Sequence, residues 1–419
     1  MRYSHHCMAN ASRTFPRLRP IESIVVPDRK HGRVLMLRDT EGIAPSAVTV
    51  PYVLASIVTR FNGTRSVTQI AAEVSHADGR RVDPSLVAEL VEELDGAYML
   101  DTPRFRERRR EVIASFLTAR VRPAAHAGGA YHADPEALAR YLDEDCMGRA
   151  PARRRGGALL GLCAPHMDLW RAATGYGHAY RELREALPAG IDTFILLGTA
   201  HAAMRRPFAV CEKAFATPLG VLPPDHGAIR ELAAGSSFDV YEDQYAHKNE
   251  HSLEFQAVFL RHVLGDRPAT IVPILCGLGE ALSRGRDPAR DPDAESFLRA
   301  LAAVVAGRRG RVMVIAGADL AHVGPRFGDA RPLDAPERER LAARDHRSLA
   351  LALDGDARGF YDHTVEDLGT RRVCGIGPIY TLLRALPDAR GEHLHYAQCV
   401  DAEEGSIVSH AAFGLYAEG

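Results

Sequence analysis

The sequence predicts a large α/β domain preceded by a small domain of helices and strands. The chain has 419 residues, which is long for one domain and enough for a large core with an accessory unit. From about residue 124 onward, apolar runs of strand length alternate with helical segments, as in α/β proteins. We place the boundaries as follows: an N-terminal tail at 1–30, the small domain at 31–101, a basic helical linker at 102–122 and the α/β domain at 123–419.

The small domain contains one strand pattern and three helix patterns. HGRVLMLRDT predicts a short strand, and the following stretch, 46–63, has apolar residues at helical spacing. Ser66 and Gln69 have the spacing of a capping box, and a third helix is predicted to start near Asp83-Pro84 and to end at Gly96. Three short helices with flanking strands predict a winged-helix-like α+β domain, whose core is too small for a catalytic cleft.

Composition excludes several classes of protein. Lys plus Arg is 52 and Asp plus Glu is 54, and this formal net charge of −2 gives no global field for nucleic acid or a membrane surface. We therefore expect no nucleic-acid partner. The first 20 residues lack the apolar core of a signal peptide, and no segment reaches about 18 uninterrupted apolar residues. We expect a cytoplasmic protein that does not bind membranes.

The seven cysteines are an odd number and are widely scattered, without a CxxC pair. This excludes a disulfide framework and a zinc ribbon.

The strands predicted in the α/β domain are nearly continuous apolar runs, as sheets covered on both faces require. They are GALLGLCAP, TFILLGTA, TIVPILCG, RVMVIAGADL, HLHYAQCV and SIVSHAAFGLYA. Helical segments lie between them, such as LEFQAVFLRHVL and the stretch 294–305. The pattern therefore predicts strand and helix in alternation.

Several of these strands end in residues that carry chemistry. GALLGLCAP leads to His166, TFILLGTA leads to His201, and the run that starts at RVMVIAG leads to Asp319 and His322. In α/β sheets functional groups gather outside the carboxyl ends of the strands, so these residues can converge in space without a local motif. The sequence thus predicts a site built from separate strand ends.

Two predicted helices also start next to residues that can carry chemistry. HKNEHSLEFQ places His251 directly before an amphipathic helix, and VCGIGPIY places Cys374 before a helix with Pro378 in its first turn. The helix dipole at this position is expected to favour the thiolate form of Cys374, as a metal ligand or a nucleophile requires.

In their order and intervals, five motifs of the α/β domain resemble the Memo family, including the bacterial proteins called AmmeMemoRadiSam system protein B. They are APHMD, GTAH, EHSLEFQ, ADLAHVG and CGIGPI. The resemblance implies a fold similar to the class III extradiol dioxygenases. It also implies an iron or copper ion held by His166, His201 and Cys374, with His251, Asp319 and His322 around the same cleft as catalytic residues. GTAHA has one histidine where relatives often have two, and CGIGPI has Ile-Gly where others have a basic or histidine pair. The core ligands are therefore kept, while the substrate-facing surroundings depart from the family pattern.

The helix order of the small domain resembles PqqD-like domains, which hold a leader peptide for a modifying enzyme. This resemblance implies a peptide or a radical-SAM protein as a partner bound through residues 31–101. A packing or dimerisation domain is the alternative interpretation.

Three functions follow. Two imidazoles and one thiolate leave coordination positions open, as catalytic metal sites do, and a thiolate favours copper(I), zinc or thiolate-bound iron. The first hypothesis is a dioxygenase-like redox enzyme, in which His251 and His322 act as proton donors and Asp319 orients them. The second is a non-catalytic scaffold that binds iron or copper, and the third is a zinc-dependent hydrolase.

Overall fold

A computed structural model describes residues 15–30, 32–151, 157–279, 282 and 284–417. The chain forms two compact units, Met1–Thr118 and Ala119–Gly419. Part of the predicted tail lies outside the described residues, but its residues 22–28 form a strand, and most of the predicted linker is a helix that belongs to the first unit. Among the described residues, no helix is both long and apolar enough to cross a lipid bilayer.

The first unit packs helices against a small antiparallel sheet. Its strands are β1 (Glu22–Asp28), β2 (Gly32–Arg38) and β3 (Val48–Pro51), and its helices are α1 (Ala55–Val58), α2 (Val67–Asp78), α3 (Pro84–Gly96) and α4 (Pro103–Thr118). The strands pair in the order β1-β2-β3. The core includes Leu37 from the sheet, Ile70 from α2 and Leu94 from α3, so the apolar stripes of the helices cover one face of the sheet.

The structure confirms two of the three helices predicted in this unit, and the prediction of the remaining helix is partly wrong. The capping box of Ser66 and Gln69 is present, and α3 runs from Pro84 to Gly96 as predicted. The helix predicted across 46–63 is wrong in its first half, because Val48–Pro51 is a strand paired with β2. Its β-branched residues fit a sheet, and pairing with β2 outweighs the helical spacing.

The second unit has a large sheet covered by helices. Its strands are β4 (Val121–Arg122), β5 (Leu159–Ala164), β6 (Thr193–Thr199), β7 (Phe208–Val210), β8 (Ala214–Thr217), β9 (Gly220–Leu222), β10 (Thr270–Cys276), β11 (Val312–Gly317), β12 (Asp319–Val323), β13 (Ala389–Val400) and β14 (Ile407–Ala417). Its helices are α5 (Pro135–Arg140), α6 (Ala173–Ala186), α7 (His226–Gly235), α8 (His251–Leu264), α9 (Pro292–Gly307), α10 (Ala335–Leu353), α11 (Ala357–Val365), α12 (Leu368–Arg371) and α13 (Ile376–Ala385).

The large sheet has the order β12-β14-β5-β11-β6-β10-β7, with β13 beside β14, and β4-β8-β9 form a separate small sheet. Strands β5, β11, β6 and β10 run parallel. Along β6, Phe194 and Leu196 enter one buried cluster while Ile195 and Leu197 enter another, so both faces of the sheet are covered. The predicted α/β architecture is confirmed for this unit. Because the central strands are parallel, the residues that follow β5, β6 and β11 lie at one edge of the sheet.

Candidate metal centre

His166 follows β5 and is almost completely buried, with 2% of its surface exposed. Its Nδ1 lies 3.0 Å from the carbonyl oxygen of Gly317, which can only accept a hydrogen bond. Nδ1 therefore carries the proton, and the lone pair of Nε2 is the acceptor. Burial, aided by His201, lowers the pKa of His166 to about 3, so the ring is neutral at physiological pH.

His201 follows β6 and is oriented by Glu250. Nδ1 of His201 donates to the Glu250 carboxylate at 2.9 Å, and the backbone N–H of His201 donates to the same group at 3.1 Å. Burial by itself would lower the pKa of His201, but the negative charge of Glu250 and this hydrogen bond raise it. Burial likewise opposes ionisation of Glu250, yet His201 holds the pKa of that carboxyl well below its usual range. Nε2 of His201 is thus left for a ligand.

Cys374 lies just before α13, and its Sγ is 3.2 Å from Nε2 of His166. The expected ease of thiolate formation is wrong for the protein without a cation. Burial first, and then the nearby Asp319, raise the pKa of the thiol well above its usual range. The desolvation of a buried charge outweighs the helix dipole here, so a cation would have to displace the thiol proton.

The three side chains converge. His166, His201 and Cys374 each offer a ligand atom, and these atoms all lie within 4.8 Å of one another. Two imidazole nitrogens and a sulfur at this spacing fit one transition-metal ion, whose bonds to such donors are about 2.0–2.3 Å long.

Asp319, the first residue of β12, adjoins this group. Its Oδ1 accepts a hydrogen bond from the backbone N–H of His166 at 2.9 Å. Its Oδ2 is buried, makes no hydrogen bond within the described part of the chain and lies 3.7 Å from Nε2 of His166. A buried carboxylate oxygen without a partner is costly, so its position beside the three donors fits a bound cation or a hydrogen-bond donor that such a cation carries.

Two further predicted residues lie around the same group. The ring of His251 stacks on that of His201, with centroids 4.5 Å apart and an interplanar angle of 23°. Burial lowers the pKa of His251 to about 3, although Glu250 opposes this. His322 has a pKa lowered by burial and interacts electrostatically with His201, while its ring contacts Phe327 edge-on at 5.1 Å. Both imidazoles are neutral at physiological pH.

The main residue that sequence reasoning missed is Glu250. His201, Glu250 and His251 form a second group whose ligand atoms lie within 4.8 Å of one another. Glu250 also caps α8 by accepting from the backbone N–H of Ser252 at 2.9 Å. We interpret it as an orienting residue, because its oxygens are already bonded to N–H groups. A Glu-His pair directly before a helix was the only signal in the sequence.

Arg122 and Glu254, which sequence reasoning also missed, form a buried ion pair. Arg122 donates to the carbonyl oxygens of His247 and Glu250, and Glu254 accepts from the backbone N–H of His126 at 2.9 Å. This pair therefore holds the segment that carries Glu250. No sequence pattern marks a pairing across more than 100 residues.

Comparison with known proteins gives one family match and several relatives. A family model described as Memo-like protein matches residues 122–414. A MEMO1 family protein of Aquifex aeolicus is 28% identical over 389 residues, covering 92% of this chain and 97% of that protein. The MEMO1 family protein TTHA0924 of Thermus thermophilus is 26% identical, covering 82% of this chain and 97% of that protein.

More distant matches include a Protein memo-1 homolog of Caenorhabditis elegans, which is 27% identical over 311 residues and covers 71% of this chain and 83% of that protein. A solved structure of an uncharacterised protein from Escherichia coli K12 is 14% identical and covers 61% of this chain and 99% of that chain. Its TM-score of 0.32 does not establish a common fold.

Proposed function

We propose that this chain, which belongs to the Memo family, binds one iron or copper ion through His166, His201 and Cys374 and uses it in a dioxygenase-like redox reaction. The observation that carries the proposal is the convergence of the three ligand atoms within 4.8 Å. Both imidazoles have Nδ1 bound to an acceptor, so each is oriented with Nε2 available. Such fixed tautomers are typical of metal-ligating histidines.

The other residues of the centre can supply hydrogen bonds. When bound, an iron or copper ion would supply a one-electron centre with open coordination positions. His251 and His322 are neutral, so each ring has one N–H group that can donate a hydrogen bond and one nitrogen that can accept one, but neither carries an extra proton to release at physiological pH. The free Oδ2 of Asp319 can accept a hydrogen bond from a substrate hydroxyl or a water.

The proposal also includes a likeness in fold and leaves two alternative functions. The parallel central strands, with His166 and His201 after their carboxyl ends, support the likeness to class III extradiol dioxygenases. Thiolate and imidazole ligands also suit zinc, so a zinc-dependent hydrolase is the second candidate. A scaffold that holds iron or copper without turnover is the third.

The first unit supports a role in partner binding. We extend the proposal to a peptide or radical-SAM partner, as in the bacterial group called AmmeMemoRadiSam system protein B, with residues 31–101 as the PqqD-like recognition domain. In support, β1, which precedes residues 31–101 and pairs with β2 inside that range, is an edge strand among the described residues and has Val25 exposed. An extended peptide can add to such an edge through main-chain hydrogen bonds.

Metal analysis of protein purified anaerobically without added metal tests the function. We expect about one iron or copper per chain, lost in His166→Ala and Cys374→Ser, followed by oxygen uptake with a suitable substrate. His262→Ala, a histidine that pairs with Asp143, is the matched control and should keep its metal. Zinc with no oxygen dependence would favour the hydrolase. Bound iron or copper without turnover would favour the scaffold, and full metal in both site variants would refute the ligand assignment.

A further inference from the structure

Arg372 lies two residues before Cys374 in an unusual backbone conformation. Its φ of 51° and ψ of 50° are left-handed, a region that residues other than glycine rarely adopt. Such conformations persist when the surrounding structure over-determines them, and they cluster at functional sites. We therefore expect the contacts of the Arg372 side chain to account for this left-handed backbone conformation.

The guanidinium of Arg372 binds Asp329 through two nitrogens. Nη2 lies 2.7 Å from Oδ1 of Asp329, and Nη1 lies 3.1 Å from Oδ2. Nη1 also donates to the carbonyl oxygens of His322 at 3.2 Å and Thr370 at 3.0 Å. This bidentate geometry is the kind that gives an arginine–carboxylate pair both strength and direction.

Asp329 closes the turn that follows β12. Its Oδ2 accepts from the backbone N–H of Gly324 at 2.7 Å, and its own N–H donates to the carbonyl oxygen of Gly324 at 3.2 Å. The turn directly follows the strand that carries Asp319 and His322. Arg372 thus joins the segment of Cys374 to the segment of these two residues.

A second link joins the same segments on the other side of Cys374. The backbone N–H of Gly375 donates to the carbonyl oxygen of Asp319 at 3.0 Å. A Cβ at Gly375 would lie 2.3 Å from that oxygen, so only glycine allows this approach. The ion pair before Cys374 and the backbone bond after it hold the cysteine from both sides.

We propose that Arg372 is a positioning residue for the metal centre, which through its ion pair with Asp329 holds the sulfur of Cys374 beside His166. This inference rests on the proposed function, because it assigns a role toward the same ligand set. Lysine cannot replace Arg372, since an ammonium group lacks the planar fork that spans both carboxylate oxygens.

A similar ion pair nearby provides a matched control. Arg331 binds both carboxylate oxygens of Glu337 at 2.8 Å. That pair closes the start of α10, where Glu337 belongs to a capping box, and within the described part of the chain none of its hydrogen bonds reaches the metal-site residues. Arg331→Gln therefore removes a guanidinium that also makes a bidentate ion pair, and it leaves the ion pair of Arg372 with Asp329 unchanged.

The test is cobalt(II) titration of the full-length protein, with affinity and the thiolate-to-cobalt charge-transfer absorption as the two measurements. We expect Arg372→Gln and Asp329→Asn each to weaken cobalt binding about tenfold and to reduce the absorption per bound cobalt. The double variant should lose less affinity than the sum of the two single losses, because both changes remove the same ion pair. Arg372→Gly should lose affinity as well, although glycine tolerates the left-handed conformation, which separates the ion pair from backbone strain. Arg372→Lys should also bind cobalt more weakly than the wild type, because lysine cannot bridge both carboxylate oxygens.

Wild-type affinity and absorption in Arg372→Gln and Arg372→Gly would overturn the inference while leaving the metal site intact. An equal loss in Arg331→Gln would also overturn it, since the effect would then be general destabilisation. If the wild-type protein binds no cobalt through Cys374, the proposed ligand set fails and the inference fails with it.

Discussion

At the scale of single residues, the centre is defined by what holds each imidazole. The Nδ1–H group of His166 donates a hydrogen bond to a backbone carbonyl, whereas that of His201 donates to the carboxylate of Glu250. The first acceptor is fixed by the fold and is neutral, and the second is charged and can be changed by mutation. The charged acceptor also raises the basicity of its imidazole, which strengthens a metal bond at Nε2.

Glu250→Gln tests this role of the carboxylate. The amide removes the negative charge, and its NH2 group faces N–H groups from which Glu250 accepts hydrogen bonds in the wild type. We therefore expect metal affinity to fall about 10- to 100-fold. Glu182→Gln is the control, because Glu182 is a buried glutamate that accepts from Tyr416, near the far end of β5. Competition with a chelator measures both affinities. Equal affinities for Glu250→Gln and the wild type would exclude an orienting role.

Proton release on metal binding follows from the pKa shifts. The pKa of Cys374 is raised, so at pH 8 the thiol is protonated and binding should release about one proton. The pKa of His201 is also raised, so the number released should increase as pH falls through that pKa. His166 adds nothing above about pH 5, because its pKa is lowered to about 3. Calorimetry in buffers of different ionisation enthalpy measures this number, and a value near zero at pH 8 would contradict the thiol as a ligand.

At the scale of elements, α13 places Cys374 by packing tightly on the sheet. A Cβ at Gly377 would lie 2.2 Å from the carbonyl oxygen of Cys276, at the end of β10. The helix therefore approaches the strand more closely than any other residue at this position would allow. A displaced α13 would also move the segment that carries Cys374.

Gly377→Ala should destabilise the second unit by about 1–3 kcal/mol, because the helix has to shift away from β10. The control is Gly369→Ala in α12, where a Cβ has no neighbour within 4 Å among the residues that the structure describes. Urea unfolding followed by tryptophan fluorescence measures both. A midpoint for Gly377→Ala equal to that of Gly369→Ala would show that the close approach does not matter.

Sequence patterns predicted the strands of the second unit better than the contacts between distant segments around the candidate site. Apolar runs identified the strands that end before His166 and His201, because a doubly covered sheet needs apolar residues at every position. The strand at Val48–Pro51 was missed, since its partner is another strand and not a local pattern. The roles of Glu250 and Arg372 and the raised pKa of Cys374 depend on contacts between distant segments, which spacing in one chain cannot reveal.

At the scale of the whole molecule, the chain combines two units that are each compact. The Memo-like match covers 122–414, while the Aquifex aeolicus protein aligns with 92% of the chain and so extends into the first unit. The combination is therefore present in a relative as well. Each unit has its own buried core, which predicts that each can be perturbed by itself.

The single tryptophan makes this independence measurable. Trp170 lies in the second unit, so its fluorescence follows that unit alone, whereas circular dichroism follows both. Ser66→Ala removes the cap of α2 and should destabilise the first unit by about 1 kcal/mol, shifting the dichroism transition but not the fluorescence transition. Ser115→Ala, at an exposed position in α4 of the same unit, is a control without a capping role. A fluorescence midpoint that moves with Ser66→Ala would contradict independent units.

X-ray absorption spectroscopy of the anaerobically purified protein tests the central claim most directly, since it counts the sulfur and nitrogen donors around the metal. We predict one sulfur at about 2.3 Å and nitrogen donors at about 2.0–2.1 Å, distances typical of thiolate and imidazole ligands. The sulfur shell should disappear in Cys374→Ser. A metal shell without sulfur in the wild type, or one unchanged in Cys374→Ser, would contradict the ligand set of His166, His201 and Cys374.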